Sequence, residues 1–108
     1  MKSPKVTRDE FRQRMALQIV SVLNTGGGTN QIVVVLTLAL AILDRYQGAK
    51  VQTGINLTTP EISKLTGPVC ELLSQVGGSI EDSRLRSPNF WVRFLEEAEP
   101  KLKGFTKL

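Results

Sequence analysis

The stretch Ile32–Leu43 reads IVVVLTLALAIL, and its reading decides the fold. Thr37 alone breaks its apolar character, and the longer run Met15–Leu43 contains no charged residue. Two secondary structures compete for it. As a strand, it opens with four β-branched residues, Ile32 to Val35, and Leu36–Ile42 then alternates large and small side chains. As a helix, its Leu- and Ala-rich half runs into Asp44-Arg45-Tyr46-Gln47, with Gly48 placed as a stop. The run exceeds the usual length of a strand. A helix over Asn30–Gln47 is therefore expected, with Thr29 or Asn30 as its cap.

A helix that is apolar on every side must be enclosed by lipid, by its own chain or by a second copy. A membrane span needs about 20 apolar residues, and this run is only twelve residues long. The preceding segment Met15–Leu23 is shorter, and the glycine-rich link Asn24–Asn30 would leave backbone amides unsatisfied at bilayer depth. The reading is the central helix of a bundle, with no membrane span. A short chain has limited means of covering such a helix. A two-fold homodimer would supply the missing cover, with Val33, Leu36, Leu40 and Leu43 as the residues that meet across it.

The helix needs a core around it, and composition allows one. The chain has 108 residues, 41% of them hydrophobic and 6% aromatic, which suits a single domain over 1–108 with an aliphatic interior. The net charge is +4, a balance compatible with an anionic partner. The single cysteine, Cys70, has no partner for an internal disulfide, so a reducing compartment such as the cytoplasm is expected. Lys2 and Lys5 lead into Arg8, Asp9, Glu10 and Arg12, a pattern unlike a secretion leader.

Around the central helix the chain divides into three further helices. Residues 1–6 read as an irregular basic arm containing Pro4. Thr7 and Glu10 form a capping box that opens a helix from Arg8 to about Leu23. Its second half, Leu17–Leu23, is almost wholly apolar and is expected to enter the core. Gly26-Gly27-Gly28 lacks the Gly-Lys-Ser/Thr ending of a phosphate loop and reads as a flexible connection. Val51–Leu57 alternates weakly, the mark of a short β segment. Thr58 or Thr59 caps the next helix, and Thr66-Gly67-Pro68 interrupts it before a segment Pro68–Val76. Yet Ile62, Leu65, Val69, Leu72 and Val76 form one apolar stripe across the interruption, as in a single helix. Ser79–Arg86 reads as a loop or one helical turn. Ser87-Pro88 opens a last helix with Trp91, Phe94, Leu95 and Ala98 inward and Arg93, Glu96, Glu97 and Glu99 outward. Pro100 ends or kinks it, and residues 101–108 form a basic tail.

The chemistry present is sparse. The chain has no histidine, which removes the commonest general base and metal ligand. With one cysteine, Cys/His zinc sites are excluded. The pairs Asp9-Glu10, Glu81-Asp82 and Glu96-Glu97 are adjacent and diverge on a helix. Cys70 reads as a buried thiol with no base beside it. A non-enzymatic protein without cofactor or metal is expected.

Two binding readings remain. The stretch Leu57–Gly67, with Ile62 and Leu65 inward, small Ser63 and Gly67 at a turn, resembles the first half of a helix-turn-helix. The resemblance implies a DNA-binding regulator, with Ser74 and Gln75 on the second helix and Arg84 and Arg86 in a wing. That second helix carries no Lys or Arg. The other reading is a self-associating assembly protein. Its basic ends, Lys2, Lys5, Arg8, Arg12 and Arg14 with Lys101, Lys103 and Lys107, would hold nucleic-acid phosphates without reading sequence if they came together. The expected architecture is all-α, four main helices packed around a buried central one.

Overall fold

The computed structural model describes residues 5–46, 48–52, 59–75 and 83–102. They form strand β1 (Lys5–Thr7), helices α1 (Arg8–Asn24) and α2 (Thr29–Arg45), strand β2 (Lys50–Gln52), helix α3 (Thr59–Ser74), a 3-10 turn (Ser83–Arg86) and helix α4 (Pro88–Leu102). This is the expected bundle of four helices with α2 at its centre. The helix boundaries fall within a residue or two of the sequence reading, except in α3.

α2 is enclosed by the chain itself. α3 packs along one side of it, and α1 and α4 close others. Ile32, Leu36, Ala39, Leu40, Ala41 and Leu43 are all at 2% exposure or less. Each fully buried large side chain contributes roughly 1.5–3 kcal/mol by leaving water. The strand alternative fails because buried residues fall on several sides at once, Val35-Leu36-Thr37 and Ala39-Leu40-Ala41 each being buried in succession, and surrounding helices provide that cover. Thr37 is enclosed with them, and its hydroxyl has no hydrogen-bond partner among the described residues.

The ends of α2 depart from expectation. Its N-cap is Gly28, which makes no side-chain cap, so neither Thr29 nor Asn30 serves. Its last turn closes at Tyr46, whose amide donates to the Ile42 carbonyl. The backbone of Tyr46 is extended, so the helix stops before Gly48.

The link between α1 and α2 is a Schellman turn. Gly26 has φ +82°. Its amide donates to the Leu23 carbonyl, and the Gly27 amide donates to the Val22 carbonyl at 2.8 Å. These bonds satisfy two carbonyls that a helix end leaves open. The connection is thus specifically bonded, in place of the flexible link expected. Gly27 is needed for space: a Cβ there would run into the Gln31 and Val22 side chains and come within 2.8 Å of the Val22 carbonyl oxygen.

α1 opens as the capping box requires, with the Glu10 amide donating to Thr7 Oγ1 at 3.1 Å. It buries Phe11, Ala16, Ile19 and Leu23. Its apolar second half enters the core on one side only: Ile19 and Leu23 are buried, and Val20 and Val22 pack half-buried against them. Leu17 on the other side is 57% exposed.

Lys5 and Val6, read as part of the irregular arm 1–6, join Thr7 in β1, which pairs antiparallel with β2. Val6 lies opposite Val51, and both point inward, while Lys5, Thr7 and Lys50 are exposed. The β segment expected over 51–57 is observed at 50–52, and its later residues lie outside those described.

α3 runs unbroken through Gly67 and Pro68. A proline inside a helix costs about 3 kcal/mol, and the Lys64 carbonyl receives no donor from it. Burial of Leu65 and Val69 on either side outweighs this cost. The apolar stripe therefore decides the element, and the interruption does not form. Cys70 is exposed on α3, contrary to the buried reading, because it stands about 100° around the helix from Val69.

α4 is set by Trp91, which is fully buried and donates from Nε1 to the Leu85 carbonyl at 2.6 Å. That bond ties the 3-10 turn to the helix. Pro100 does not end α4, which continues to Leu102.

Two consequences are testable by urea unfolding. Gly26→Ala loses about 1–2 kcal/mol from the left-handed conformation, and Gly27→Ala loses about 1–3 kcal/mol from overpacking. Thr37→Val removes an unpaired buried hydroxyl while keeping its shape, so it raises stability by about 1–3 kcal/mol. A loss above about 1 kcal/mol in Thr37→Val would mean that the hydroxyl is bonded.

Candidate interaction surfaces

The residues singled out in the sequence fall into three groups: those used inside the fold, those left on the surface, and Lys2, Lys103 and Lys107, which lie outside the described residues.

Arg8 and Arg12 belong to the first group. They stand one turn apart at the start of α1, which packs against α4. Glu99 of α4 lies between them and is only 15% exposed. One oxygen of its carboxylate accepts from Arg8 Nη2. The other accepts from Arg12 Nε at 2.8 Å and Arg12 Nη2 at 2.6 Å. Arg12 Nη1 also donates to Asp9 at 2.7 Å. Arg8 reaches further, donating to the carbonyls of Tyr46 and Leu43, the latter at 3.1 Å. It thereby caps the C-terminal end of α2, where a cation is favoured by the helix dipole.

The start of α1 and the last turns of α4 come together here. What they build is a cluster with no net charge, two arginines against Glu99 and Asp9. Glu99 was expected to face outward. Trp91, Leu95 and Glu99 are spaced at four residues, so Glu99 continues the inner stripe at its edge. That spacing was the available signal.

Val33, Leu36, Leu40 and Leu43 are at 7%, 0%, 2% and 0% exposure. A second copy could reach them only by displacing helices of the same chain. The part of α2 that faces outward is a different stripe: Val34, 54% exposed, followed at four-residue intervals by half-buried Leu38 and Ile42.

Lys5, Arg14, Arg84, Arg86 and Lys101 are exposed but scattered over β1, α1, the 3-10 turn and α4. Ser74 and Gln75 are exposed at the end of α3, and the Ser74 hydroxyl donates to the Glu71 carbonyl at 2.7 Å. They do not head a separate second helix, because α3 is continuous. The turn that a helix-turn-helix places near Gly67 is absent.

Between the end of α3 and α4 lies an open groove of about 360 Å³. Leu72, Phe90, Phe94 and Ala98 make its apolar lining, and Gln75, Arg93, Glu97 and Lys101 its polar one. α3 and α4 meet each other only briefly, which leaves the groove open. Among the described residues no three His, Cys, Asp or Glu side chains gather as a metal site, and no helix is long and apolar enough to cross a membrane.

No protein family matches this chain, and neither a curated protein nor a solved structure does.

The arginine cluster generates a stability test. Glu99→Ala leaves two largely buried guanidinium groups without their carboxylate and costs about 2–3 kcal/mol. A double-mutant cycle of Arg12→Ala with Glu99→Ala gives a coupling of about 1 kcal/mol or more. Arg14→Ala, on the exposed side of α1, changes stability by less than about 0.5 kcal/mol.

Proposed function

We propose that this chain is a non-catalytic assembly protein that associates with a second copy of itself through the outward stripe of α2. The observation that carries the reading is Val34, 54% exposed on a helix whose other large apolar side chains are buried or half-buried. Leu38 and Ile42 continue it over about 12 Å of helix. The stripe holds no charged residue, so it asks for no opposite charge in its partner. A copy of itself, antiparallel across a two-fold axis at Leu38, sets Val34 against Ile42 of the other protomer.

The stripe is small beside the roughly 800 Å² per partner of a standard interface. Association through it is therefore concentration-dependent and reversible. The non-catalytic part of the reading rests on the missing histidine and on the absence from the sequence of any assembled acid–base or nucleophile pattern.

A second reading has one supporting observation. The outward face of the β1–β2 ribbon presents Lys5, Thr7 and Lys50 to solvent. Two cations beside a hydroxyl can hold phosphates without reading sequence. Arg8 and Arg12, committed to Glu99, add little to such a surface.

Light scattering over a range of protein concentrations tests the main reading. The chain shifts from monomer toward dimer as concentration rises, and Val34→Glu abolishes the shift while leaving the helical circular dichroism unchanged. A monomer at every concentration would remove self-association. Adding a mixed-sequence DNA duplex at low salt tests the ribbon: a mass gain that Lys5→Ala with Lys50→Ala removes would favour nucleic-acid contact.

A further inference from the structure

We propose that the groove between α3 and α4 seats an amphipathic helix from a different protein, one whose polar flank reads acid, base, acid at four-residue intervals. The groove runs along α4 from Phe90 to Lys101, about 16 Å or three helical turns. Its volume, about 360 Å³, lies in the range of ligand-sized clefts. Leu72, Phe94 and Ala98 give it an apolar floor suited to residues at i, i+4 and i+7 of a docked helix.

The polar flank supplies the specificity. Arg93, Glu97 and Lys101 stand four residues apart, are all exposed, and read plus, minus, plus along the groove. Side chains at this spacing on a helix commonly pair with one another. No ion pair joins these three among the described residues. Their charges are thus available to a partner. The pattern is palindromic, so the complementary flank is the same for either direction of the docked helix.

The same pattern argues against a second copy as the occupant through α4. Two α4 helices paired antiparallel would set Glu97 against Glu97 and Arg93 against Lys101, like charge against like at all three places. The groove and the α2 stripe therefore select different partners, and this proposal stands without the self-association reading.

The test uses the full chain and two fluorescein-labelled synthetic peptides of about sixteen residues, both helical with one leucine stripe. One carries Glu, Lys, Glu beside the stripe, the other Lys, Glu, Lys. Fluorescence anisotropy gives affinity. The expected result is binding of the first peptide about tenfold or more tightly than the second. The triple variant Arg93→Glu, Glu97→Lys, Lys101→Glu inverts that preference, and since all three residues are exposed the fold is retained. Binding of neither peptide overturns the proposal. So does equal binding of both, or a preference that the triple variant leaves in place. Binding that appears only after residues 103–108 are removed would give the groove to the chain's own end, and a dimer mass that the triple variant abolishes would give it to a second copy. Both outcomes overturn the proposal.

Discussion

The whole structure answers to one constraint: a seventeen-residue helix with no charged residue before Asp44 has to be kept from water. Everything else is cover. α3 follows α2 along its length despite a proline in its middle, because Leu65 and Val69 find their burial there. α1 and α4 pack together and close α2 from the other directions. The same drive makes an unpaired Thr37 hydroxyl tolerable. Its cost, about 1–3 kcal/mol, is comparable to the gain from a single one of its buried neighbours.

Polar interactions then position what burial has gathered. Hydrophobic attraction has no direction, so it does not decide where α2 ends or how α1 meets α4. The Arg8, Arg12 and Glu99 cluster does both. Arg8 closes the carbonyls of α2 with the same guanidinium that pairs with Glu99. Three helices are thereby fixed at one corner. The arrangement also changes what the basic composition means. Two of the cations nearest the N-terminus are matched by Glu99 and Asp9, so net charge says less about a phosphate-binding face than it does in the bare sequence.

The two surfaces left over differ in kind. The α2 stripe is apolar and uncharged, which permits pairing but discriminates weakly. The α3–α4 groove combines an apolar floor with an ordered row of charges, Arg93, Glu97 and Lys101.

Much of this was legible in the residues. The apolar run of α2, the Thr7 cap, the Ser87-Pro88 start and the stripe of Trp91, Leu95 and Ala98 are local or periodic signals, and local chemistry acts on each wherever it occurs. The sequence by itself determined a helical bundle and its central element. Tertiary structure decided the rest. Whether Pro68 broke α3 depended on what Leu65 and Val69 could pack against. Whether residues 5–7 became a strand depended on 50–52 arriving beside them. Whether Arg8 faced solvent depended on a carboxylate 91 positions away. Exposure of Val34 in place of Leu36 or Leu40 depended on which side the other helices took. Each of these is a contest between a local preference and a contact distant in the chain, and only the folded arrangement brings the two sides of the contest together.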